Sequence, residues 1–461
     1  MIDKTKLKKI KSIFQGSLDY TKNQPDLFLP HKYKLVSPST VNHFLDDFKT
    51  SIIHDEKVLV YVHLPFCFSE CVFCNSFPHK ANKKEQQLYF ESLIKEIELF
   101  TQAGLFEGKK IESIYFGGGT PTSFPIENLK DILTKLKDSM DVVKGASITT
   151  EAHPSTLKTE DRIIALSETG FNRVSMGCQS FDPEILKLCN RSHSQEDIKR
   201  IISTLNQLNM LNNIDMMTGL PGQTISSLKR DMEILADIKP AAVEYIRHEI
   251  VNPLAIDLYK NNPSLLVSDD DLFQMVFMMQ RWMQENGYEQ NGNYANKTFW
   301  EYRYNWLHEM PIIAFGARAR SYSKSISYDK HEDIPIYSAL INKNIPPVGR
   351  YLVLSKTEQM YRTLFMRLQL KKGLSLTSFE ERYQENALTV FKELLHKLLK
   401  IECVQLTDNH ISLTDYGAFF VEDICDYIID YALKLESKDL KRNPNSLGST
   451  SSRLKNIQVA G

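Results

Sequence analysis

The chain has 461 residues, of which 42% are hydrophobic and 25% charged, and its formal net charge is −1. This length and composition allow a large folded core with an appended domain. A charge this close to zero provides no basic field for nucleic acid or an anionic membrane, and no apolar run reaches the roughly 20 residues that a membrane span needs.

The N-terminal sequence and the cysteines favour a reducing compartment. The segment MIDKTKLKKIKSIF is basic but has no apolar core and no small-residue cleavage site, so we expect no secretion signal. The seven cysteines, three of them close together, do not form the pattern of a disulfide framework. We therefore expect a cytoplasmic protein.

Strand and helix patterns alternate through the first half of the chain. The stretches YFESLIKEIELF and LKDILTKLKDSM have helical periodicity. Strands are predicted at 57–63, 111–116, 147–151, 173–178, 213–217 and 242–249. This alternation predicts an α/β fold with a parallel sheet covered by helices.

The pattern changes after about Leu354. Helices are predicted at 355–370, 376–383 and 387–400, then a polar hairpin around 407–409 and a last helix from Asp415. That order suggests a small winged-helix-like domain, although its helices lack the basic stripe of a DNA-binding module. The polar residues 436–461 are predicted to be a disordered tail.

Three cysteines, Cys67, Cys71 and Cys74, occur within VHLPFCFSECVFCNSF, and their spacing lets the thiols converge on one metal centre. An iron–sulfur cluster usually has four cysteine ligands, so a site with three leaves one iron to a small molecule. On spacing alone, a zinc site completed by His63 or His79 and inert core thiols are equally compatible with the sequence.

A glycine-rich turn follows the second predicted strand. In IESIYFGGGTPTSF (111–124), a β-branched and aromatic stretch runs into three glycines, and Pro121 closes the turn. Without side chains the backbone can approach a ligand closely. A tight strand-to-helix turn with no ligand is the alternative.

Four motifs now occur in order: CxxxCxxC after YVHLPF, YFGGGTP, NRVSMGCQSFD and NIDMMTGLPGQT. Together they resemble the radical AdoMet superfamily (AdoMet, S-adenosyl-L-methionine), in the branch of oxygen-independent coproporphyrinogen III oxidase and its heme-chaperone and radical methyltransferase relatives, the HemN-like family. The likeness runs from about Val58 to about Tyr427. It implies a partial (β/α)6 TIM-like barrel with a C-terminal helical, winged-helix-like domain, and a site at the C-terminal ends of the barrel strands.

The resemblance also suggests how the chain is divided. The predicted parts are an N-terminal extension packing on the barrel (1–55), the radical AdoMet partial barrel (56–310), a barrel-closing connection (311–350), the C-terminal HemN-like helical domain (351–435) and the disordered tail (436–461).

The family precedent assigns a [4Fe–4S] cluster to the three cysteines and places AdoMet on its open iron, where electron transfer cleaves the sulfonium to a 5′-deoxyadenosyl radical. It implies two AdoMet molecules. The first would contact Tyr61, Gly117, Gly118, Gly119, Thr120 and Glu151. The second would contact Phe73, Gly119, Thr120, Gln179, Arg191 and Asp215. For Arg191 and Asp215, a structural role at the barrel rim is the alternative.

Two departures separate this chain from the oxidase pattern. The oxidase follows its third cluster cysteine with Gly-Cys, whereas this chain has Asn75-Ser76, so a fourth cysteine is missing. The oxidase also carries Asp after the glutamine where this chain reads Gln179-Ser180-Phe181. The chaperone and methyltransferase relatives share both differences.

The sixth predicted strand, in AVEYIRHEIVNP, is unusually charged. Strand alternation puts Arg247 and Glu249 on one face and Glu244 and His248 on the other. Either His248 or Glu249 could accept the proton that leaves after a radical adds to an sp² carbon. An internal Arg–Glu ion pair is the alternative.

Two later segments could line a substrate site. Residues 284–306 are rich in aromatic side chains and could form a wall for a flat substrate, or a packing surface. Arg318 and Arg320 could hold substrate carboxylates, with surface salt bridges as the competing account.

These observations lead to a predicted function. We expect radical C-methylation, or a related carbon–carbon modification, of an unsaturated or aromatic small molecule, with coproporphyrinogen III oxidation and heme carriage as alternatives. The resemblance implies as partners a small-molecule substrate, carboxylated and aromatic or a tetrapyrrole, and a reducing protein such as flavodoxin or ferredoxin. Nucleic acid and a membrane span are not expected.

Overall fold

A computed structural model of the chain describes residues 5, 10, 12, 14, 33–36, 41–76, 78–80, 82–291, 294–296 and 300–442. The strands are β1 (Lys34–Leu35), β2 (Lys57–Leu64), β3 (Phe66–Cys67), β4 (His79–Lys80), β5 (Lys110–Gly118), β6 (Asp141–Ala152), β7 (Arg173–Gln179), β8 (Leu211–Thr218), β9 (Ala242–Arg247), β10 (Glu289–Asn291), β11 (Tyr294–Asn296), β12 (Ile312–Phe315), β13 (Arg320–Tyr322), β14 (Ile326–Lys330), β15 (Val348–Val353), β16 (Leu374–Ser375), β17 (Val404–Leu406) and β18 (His410–Leu413).

Helices cover and connect these strands. They are α1 (Val41–Ser51), α2 (Lys83–Gln102), α3 (Ile126–Ser139), α4 (Glu160–Thr169), α5 (Pro183–Leu188), α6 (Gln195–Gln207), α7 (Ile225–Ile238), α8 (Pro253–Asn261), α9 (Asp269–Glu285), α10 (Glu301–Leu307), α11 (Ile334–Asn342), α12 (Lys356–Leu368), α13 (Leu376–Tyr383), α14 (Ala387–Val390), α15 (Lys392–Lys400), α16 (Asp415–Phe419) and α17 (Val421–Arg442). None of the helices in the described part of the chain combines the length and apolar character needed to cross a bilayer.

The main sheet has parallel strands at its centre. Its order is β1-β15-β14-β13-β12-β2-β5-β6-β7-β8-β9-β11-β10, and the pairs from β12 to β9 are parallel. The six predicted strands correspond to β2 and β5 to β9, which confirms the α/β barrel-like fold. The last of them ends at Arg247 rather than at 249.

The local sequence explains why these strands lie at the centre. In β2, KVLVYVHL is apolar at nearly every position, and its valines and leucines are buried. A strand covered by helices on one face and filled by side chains on the other needs this continuous apolar pattern. The intervening helices are amphipathic and present their apolar face to the sheet.

The segment 311–350, predicted as a barrel-closing connection, extends the sheet beyond β2. Strand β12 lies parallel to β2, whereas β13, β14 and β15 follow as an antiparallel set. The sheet therefore continues past the six predicted strands, and these additional strands form a second wall beside the barrel mouth.

The C-terminal part is helical around a small antiparallel sheet of order β16-β18-β17. The predicted helices and hairpin are all found, with 387–400 divided into α14 and α15. Helix α17 continues to Arg442, so its last turns occupy the first part of the segment predicted as a tail. Residues 443–461 lie outside the described residues.

The described residues of the N-terminal extension contact two parts of the fold. Phe44 and Phe48 of α1 pack on Tyr328 of β14, with ring centroids 5.5 and 4.9 Å apart. Phe14 instead lies 5.9 Å from Phe420 and 5.6 Å from Tyr427 of the C-terminal helices. The extension was predicted to pack on the barrel, and it also reaches the C-terminal domain.

A buried ion pair joins α2 to β14. The Lys330 ammonium contacts the Glu96 carboxylate, and both side chains are fully buried. Glu96 also accepts hydrogen bonds from the Gly316 N–H and the Tyr337 hydroxyl, each at 2.7 Å. Burial lowers the pKa of Lys330, and the neighbouring carboxylate opposes that shift. The pair therefore remains charged only while both partners are present.

Replacing Lys330 tests this dependence. Lys330→Met should lower the free energy of unfolding by about 3–5 kcal/mol, because it leaves the buried carboxylate without a cation. The double variant Lys330→Met/Glu96→Gln should recover part of that loss. Lys199→Met, which breaks an exposed pair with Asp237, is the matched control and should cost about 1 kcal/mol or less. Chemical denaturation of the three variants measures this, and equal losses for both single variants would contradict it.

Candidate functional site

One cavity of about 920 Å³ lies at the C-terminal ends of the parallel strands. Most of the residues predicted from the sequence line it. They are Tyr61, Cys67, Cys71, Phe73, Cys74, Gly118, Gly119, Thr120, Glu151, Gln179, Arg191, Asp215 and Glu249. The lining does not include Gly117 or His248. The structure thus brings together residues that are far apart in the sequence.

The three clustered cysteines follow β2: Cys67 ends the short strand β3, and Cys71 and Cys74 lie on the loop after it. The Sγ atom of Cys67 is 3.1 Å from the hydroxyl of Thr120, and the Arg191 guanidinium donates to Sγ of Cys71 at 3.4 Å. All three cysteines are partly exposed and line the cavity. The thiols therefore face the same space as the other predicted residues.

Two side chains from distant elements anchor the end of this loop. Asn252, the N-cap of α8, donates to the carbonyl of Cys74 at 2.8 Å. Arg318 donates to the carbonyl of Ser76 at 2.6 Å. Because both bonds go to backbone oxygen atoms, they position the loop without using the thiols.

The thiols do not form a site for a single ion. Among the described residues, no group of three or more His, Cys, Asp or Glu side chains is positioned to hold one metal ion. A four-iron cluster binds each thiolate at a different iron, so its ligands stand farther apart than those of one zinc ion. Burial raises the pKa of Cys67 to about 12, which keeps the bare thiol protonated until a metal replaces the proton. Three thiolates that face one cavity are a donor set that fits a cluster with one iron left open.

The glycine turn holds the start of the cysteine loop. The N–H of Gly119 donates to Leu64 at 2.9 Å, and the N–H of Thr120 donates to Phe66 at 2.8 Å. A Cβ atom at Gly119 would lie only 2.7 Å from the backbone N and O of Phe66. Any side chain there would displace the residue immediately before Cys67. The turn was predicted to let its backbone approach AdoMet closely, and two of its N–H groups are bonded within the chain.

Glu151 fixes the other side of the glycine turn. Its carboxylate accepts a hydrogen bond from the Tyr115 hydroxyl at 2.7 Å and another from the Gly118 N–H at 3.1 Å. Gly118 has φ of +112°, and a Cβ there would overlap the ring of His63. Burial lowers the pKa of His63 to about 3, so this histidine is neutral and packs beside the turn.

Three carboxylates from neighbouring strands form what we name the acid cluster: Glu151, Asp215 and Glu244. Asp215 and Glu244 are register partners on β8 and β9, and all three line the cavity. Burial raises the pKa of Asp215 well above its usual range, and the carboxylates of Glu244 and Glu151 raise it further. A cationic ligand would relieve this repulsion, and AdoMet carries both an ammonium and a sulfonium group.

Family models agree with this geometry. The model described as the Radical SAM superfamily matches residues 61–235, and the model of the HemN C-terminal domain matches residues 354–420. The chain belongs to the radical SAM superfamily, in its HemN-like family. SAM is AdoMet, and membership implies a [4Fe–4S] cluster and AdoMet.

Individual relatives of this radical SAM chain match different shares of its length. Heme chaperone HemW of Lactococcus lactis subsp. lactis is 27% identical over 376 residues, which cover 77% of this chain and 93% of the relative. Anaerobilin synthase of Escherichia coli O157:H7 is 33% identical over 183 residues, covering 40% of this chain and 41% of the relative. The solved structure of coproporphyrinogen III oxidase (HemN) from Escherichia coli covers 84% of this chain and 93% of its own, with a TM-score of 0.73 and 21% identity, and so shows the same fold.

The residues predicted to bind the second AdoMet surround a strained turn at the end of β7. Gln179 has φ of +75°, and its side-chain Oε1 is buried with no hydrogen-bond partner among the described residues. Arg191 donates to the carbonyl of Gly177 and lies 5.8 Å from the ring of Phe73. A buried acceptor without a donor costs free energy, so the turn suits a ligand that supplies an N–H or O–H.

Ser180, at the position of the departure from the oxidase pattern, has a structural role. Its hydroxyl donates to Asp231 of α7 at 2.8 Å, and the N–H of Phe181 donates to the same carboxylate at 2.8 Å. Burial raises the pKa of Asp231 from 3.8 to about 7, although both hydrogen bonds oppose the shift. Ser180 therefore secures the turn from the side opposite to the cavity.

The two predicted proton acceptors have different positions. Strand β9 ends before His248, whose buried ring packs 5.9 Å from that of Tyr259 and outside the cavity. Burial lowers the pKa of His248 to about 4. The prediction that His248 acts at the site is therefore not supported by its position. Glu249 and Glu244 do line the cavity.

A row of aromatic rings forms one wall of the cavity, and we name Tyr61, Tyr115, Trp300 and Tyr302 the aromatic wall. The ring of Tyr115 lies 4.8 Å from Tyr302, 6.0 Å from Trp300 and 6.1 Å from Tyr61, with interplanar angles below 30°. Tyr288 instead stacks on Trp282 in the core. The side chains of Tyr294 and Phe299, which belong to the same aromatic segment, are not among the described ones.

Sequence reasoning did not select Tyr115 or Glu244 as site residues. Tyr115 precedes the glycine turn and reads as an ordinary aromatic strand residue, and its role depends on contacts with Glu151 and with the distant Trp300. Glu244 was placed on a charged strand, but its pairing with Asp215 follows from the register of β8 and β9. Register between parallel strands is not readable from one sequence.

A substitution at Gly119 tests how the turn supports the cysteine loop. Gly119→Ala should lower the iron retained after anaerobic reconstitution by several-fold, because its Cβ meets the backbone of Phe66 at 2.7 Å. Gly145→Ala is the control, since its φ is +82° but nothing lies within 4 Å of the added Cβ. That control should cost about 1 kcal/mol of stability and leave iron content unchanged. Analysis of the iron and sulfide content of both variants measures this effect. Full iron retention in Gly119→Ala would contradict the steric argument.

The pH dependence of stability tests Asp231. Since its pKa is 3.8 ordinarily and about 7 in the fold, the folded chain binds more protons than the unfolded chain between these values. Wild-type stability should therefore fall, relative to Asp231→Asn, as the pH rises through this window, by up to about 4 kcal/mol at about 1.4 kcal/mol per pKa unit. Urea unfolding of both proteins in the apo form, at several pH values, measures the difference. Parallel profiles would show that Asp231 titrates normally.

Proposed function

We propose that the chain is a radical AdoMet enzyme that modifies a flat, conjugated substrate of tetrapyrrole type, by C-methylation or a related carbon–carbon modification. One observation carries this proposal: the cluster cysteines, the acid cluster and the aromatic wall line the same cavity. Ligand pockets commonly measure roughly 300–1,000 Å³. A cavity of about 920 Å³ is at the upper end of that range, which supports more than one bound molecule.

The substrate class is supported by the wall and by the relatives. The aromatic wall provides apolar ring surface, which suits contact with a conjugated molecule. The names of these relatives refer to heme, coproporphyrinogen and a bilin, all of which are tetrapyrroles. A tetrapyrrole also carries carboxylate side chains, which require cationic partners in the protein.

The bound cofactors would supply radical chemistry and, with a second AdoMet, the carbon to be transferred. The side chains of the protein would bind the cofactors and accept a proton. Cys67, Cys71 and Cys74 would hold the cluster, and the acid cluster would balance the positive charge of AdoMet. Glu244 or Glu249 would accept the proton that leaves the modified carbon, since both reach the cavity.

Closure of the cavity is provided at the end of β9. Arg247 forms ion pairs with Glu422 at 3.0 Å and Asp423 at 3.4 Å, at the start of α17. These contacts bring the C-terminal domain onto the cavity mouth. Excluding water in this way would protect a reactive intermediate from side reactions.

Heme carriage is the second candidate. HemW, named a heme chaperone, is matched over 93% of its length, and the same aromatic wall would accept heme. Stable one-to-one heme binding with transfer to an apo-acceptor, and no AdoMet cleavage, would favour this function. Coproporphyrinogen oxidation is less well supported, because Asn75-Ser76 replaces Gly-Cys and Gln179 is followed by Ser180.

Product analysis of the reconstituted protein tests the proposal. With dithionite, AdoMet and a tetrapyrrole substrate, the wild type should form both 5′-deoxyadenosine and S-adenosylhomocysteine. Asp215→Asn should lower S-adenosylhomocysteine by about tenfold or more, because it weakens the charged contact with the second AdoMet, while deoxyadenosine release persists. Asp237→Asn, at an exposed carboxylate outside the cavity, is the control and should match the wild type.

Mass spectrometry separates the candidates. Deoxyadenosine alone from the wild type would support oxidase-type chemistry and contradict methylation. Neither product from a protein with an intact cluster would favour the heme carrier.

A further inference from the structure

We propose that Arg303 binds a carboxylate of the substrate beside the aromatic wall. This inference rests on the proposed function and identifies a charged group that the substrate carries. Arg303 lies on α10, which has Trp300 as its N-cap and contains Tyr302. Both of these rings line the cavity, as do Arg303 and Trp306. One short helix therefore presents flat rings and a guanidinium to the same bound molecule.

Hydrogen bonding distinguishes Arg303 from the other arginines that line the cavity. Each of the others donates to a carboxylate or a backbone carbonyl of the chain: Arg191, Arg247, Arg318, Arg320 and Arg350. Arg303 forms no hydrogen bond and no ion pair with any residue that the structure describes. Its Nε atom is buried without an acceptor, whereas its two Nη atoms remain accessible. The guanidinium therefore has donors available for a ligand.

An aromatic ring holds this guanidinium in place. The Cζ atom of Arg303 lies 4.3 Å from the centroid of the Trp306 ring, three residues later in the chain. Trp306 is buried, so the contact limits the movement of the guanidinium. The face of an indole ring attracts the positive charge, but an indole has no oxygen or nitrogen acceptor for the N–H groups. Arg303 is thus positioned without its donors being used.

Acidic residues at the start of α17 are the alternative partners within the chain. They lie in the same region, because their carboxylates raise the pKa of Cys425 and Arg303 lowers it. Glu422 and Asp423 pair instead with the arginine at the end of β9, and Asp426 does not line the cavity. None of these three carboxylates forms an ion pair with Arg303 in the described part of the chain. What calls for a ligand at Arg303 is therefore its unbonded N–H groups, and not a net positive charge.

A carboxylate satisfies these donors better than a neutral acceptor does. N–H groups without an acceptor cost free energy once a bound molecule displaces water. The two oxygen atoms of a carboxylate match the planar fork of a guanidinium and neutralise its charge. Since Tyr302 precedes Arg303 and lies 4.8 Å from Tyr115, a substrate bound in this way would extend its conjugated part over the aromatic wall. The acid cluster would repel the same carboxylate and favour AdoMet.

Binding of coproporphyrin III and of its tetramethyl ester, in the same low fraction of cosolvent, tests this subsite without requiring catalysis. By fluorescence titration of the anaerobically reconstituted protein, the wild type should bind the free acid about tenfold or more tightly than the ester. Arg303→Gln should weaken acid binding by about tenfold and leave ester binding nearly unchanged. Arg303→Lys, which keeps the charge but not the planar donors, should give an intermediate loss.

Two controls separate binding from a structural role. Arg281→Gln, which removes an exposed pair with Glu285 outside the cavity, should bind both porphyrins as the wild type does. Thermal unfolding without ligand should give nearly the same midpoint for Arg303→Gln and the wild type, because Arg303 has no polar partner among the described residues. A clearly lower midpoint would assign Arg303 a structural role and overturn the subsite.

The remaining outcomes separate the subsite from the proposed function. Equal discrimination between acid and ester in Arg303→Gln and the wild type would overturn the subsite and leave the proposed function standing. Equal losses of acid and ester affinity would show that Arg303 does not recognise the carboxylate, and would overturn the subsite as well. If the wild type binds neither porphyrin, the tetrapyrrole proposal fails, and the subsite fails with it.

Discussion

Close contact between two backbone segments determines the geometry of the candidate site. The glycine turn after β5 lies against the chain at Phe66, and Gly119 leaves no room for a side chain between them. The first cluster cysteine is the next residue, so its position follows from this contact rather than from its own packing. Glu151 then fixes the opposite side of the turn through Gly118. Hydrogen bonds at the ends of the strands thus connect the glycine turn to the cysteine loop on one side and to Glu151 of the acid cluster on the other.

Three carboxylates that line the cavity repel one another. Glu151, Asp215 and Glu244 lie on β6, β8 and β9, and both burial and the two neighbouring carboxylates raise the pKa of Asp215. Like charges in a low-dielectric space repel each other, so this part of the cavity favours a cationic ligand. AdoMet, which carries an ammonium and a sulfonium group, would therefore stabilise the folded state on binding.

The sequence was sufficient for the main fold and for most of the cavity. Six strands, the order of the C-terminal helices and the cysteine motif could be predicted, since each depends on local patterns of apolar residues, glycines and thiols. His248 does not line the cavity, because β9 ends at Arg247 rather than at the predicted residue 249, whereas Glu249 does line it. Tyr115 and Glu244 were not selected from the sequence because their positions in the site depend on strand register and on contacts between distant segments. Nothing in the local sequence of these residues indicates such contacts.

The buried pair between α2 and β14 has a consequence for biosynthesis. Glu96 is synthesised long before Lys330. Burial of its carboxylate costs desolvation free energy until Lys330 is available to pair with it. A nascent chain that stops after β9 contains all six predicted barrel strands, yet it cannot close the layer between α2 and the sheet. The layer between α2 and the sheet can therefore be completed only after residues that follow the six predicted strands have been translated. Completion of this part of the core depends on the later half of the polypeptide.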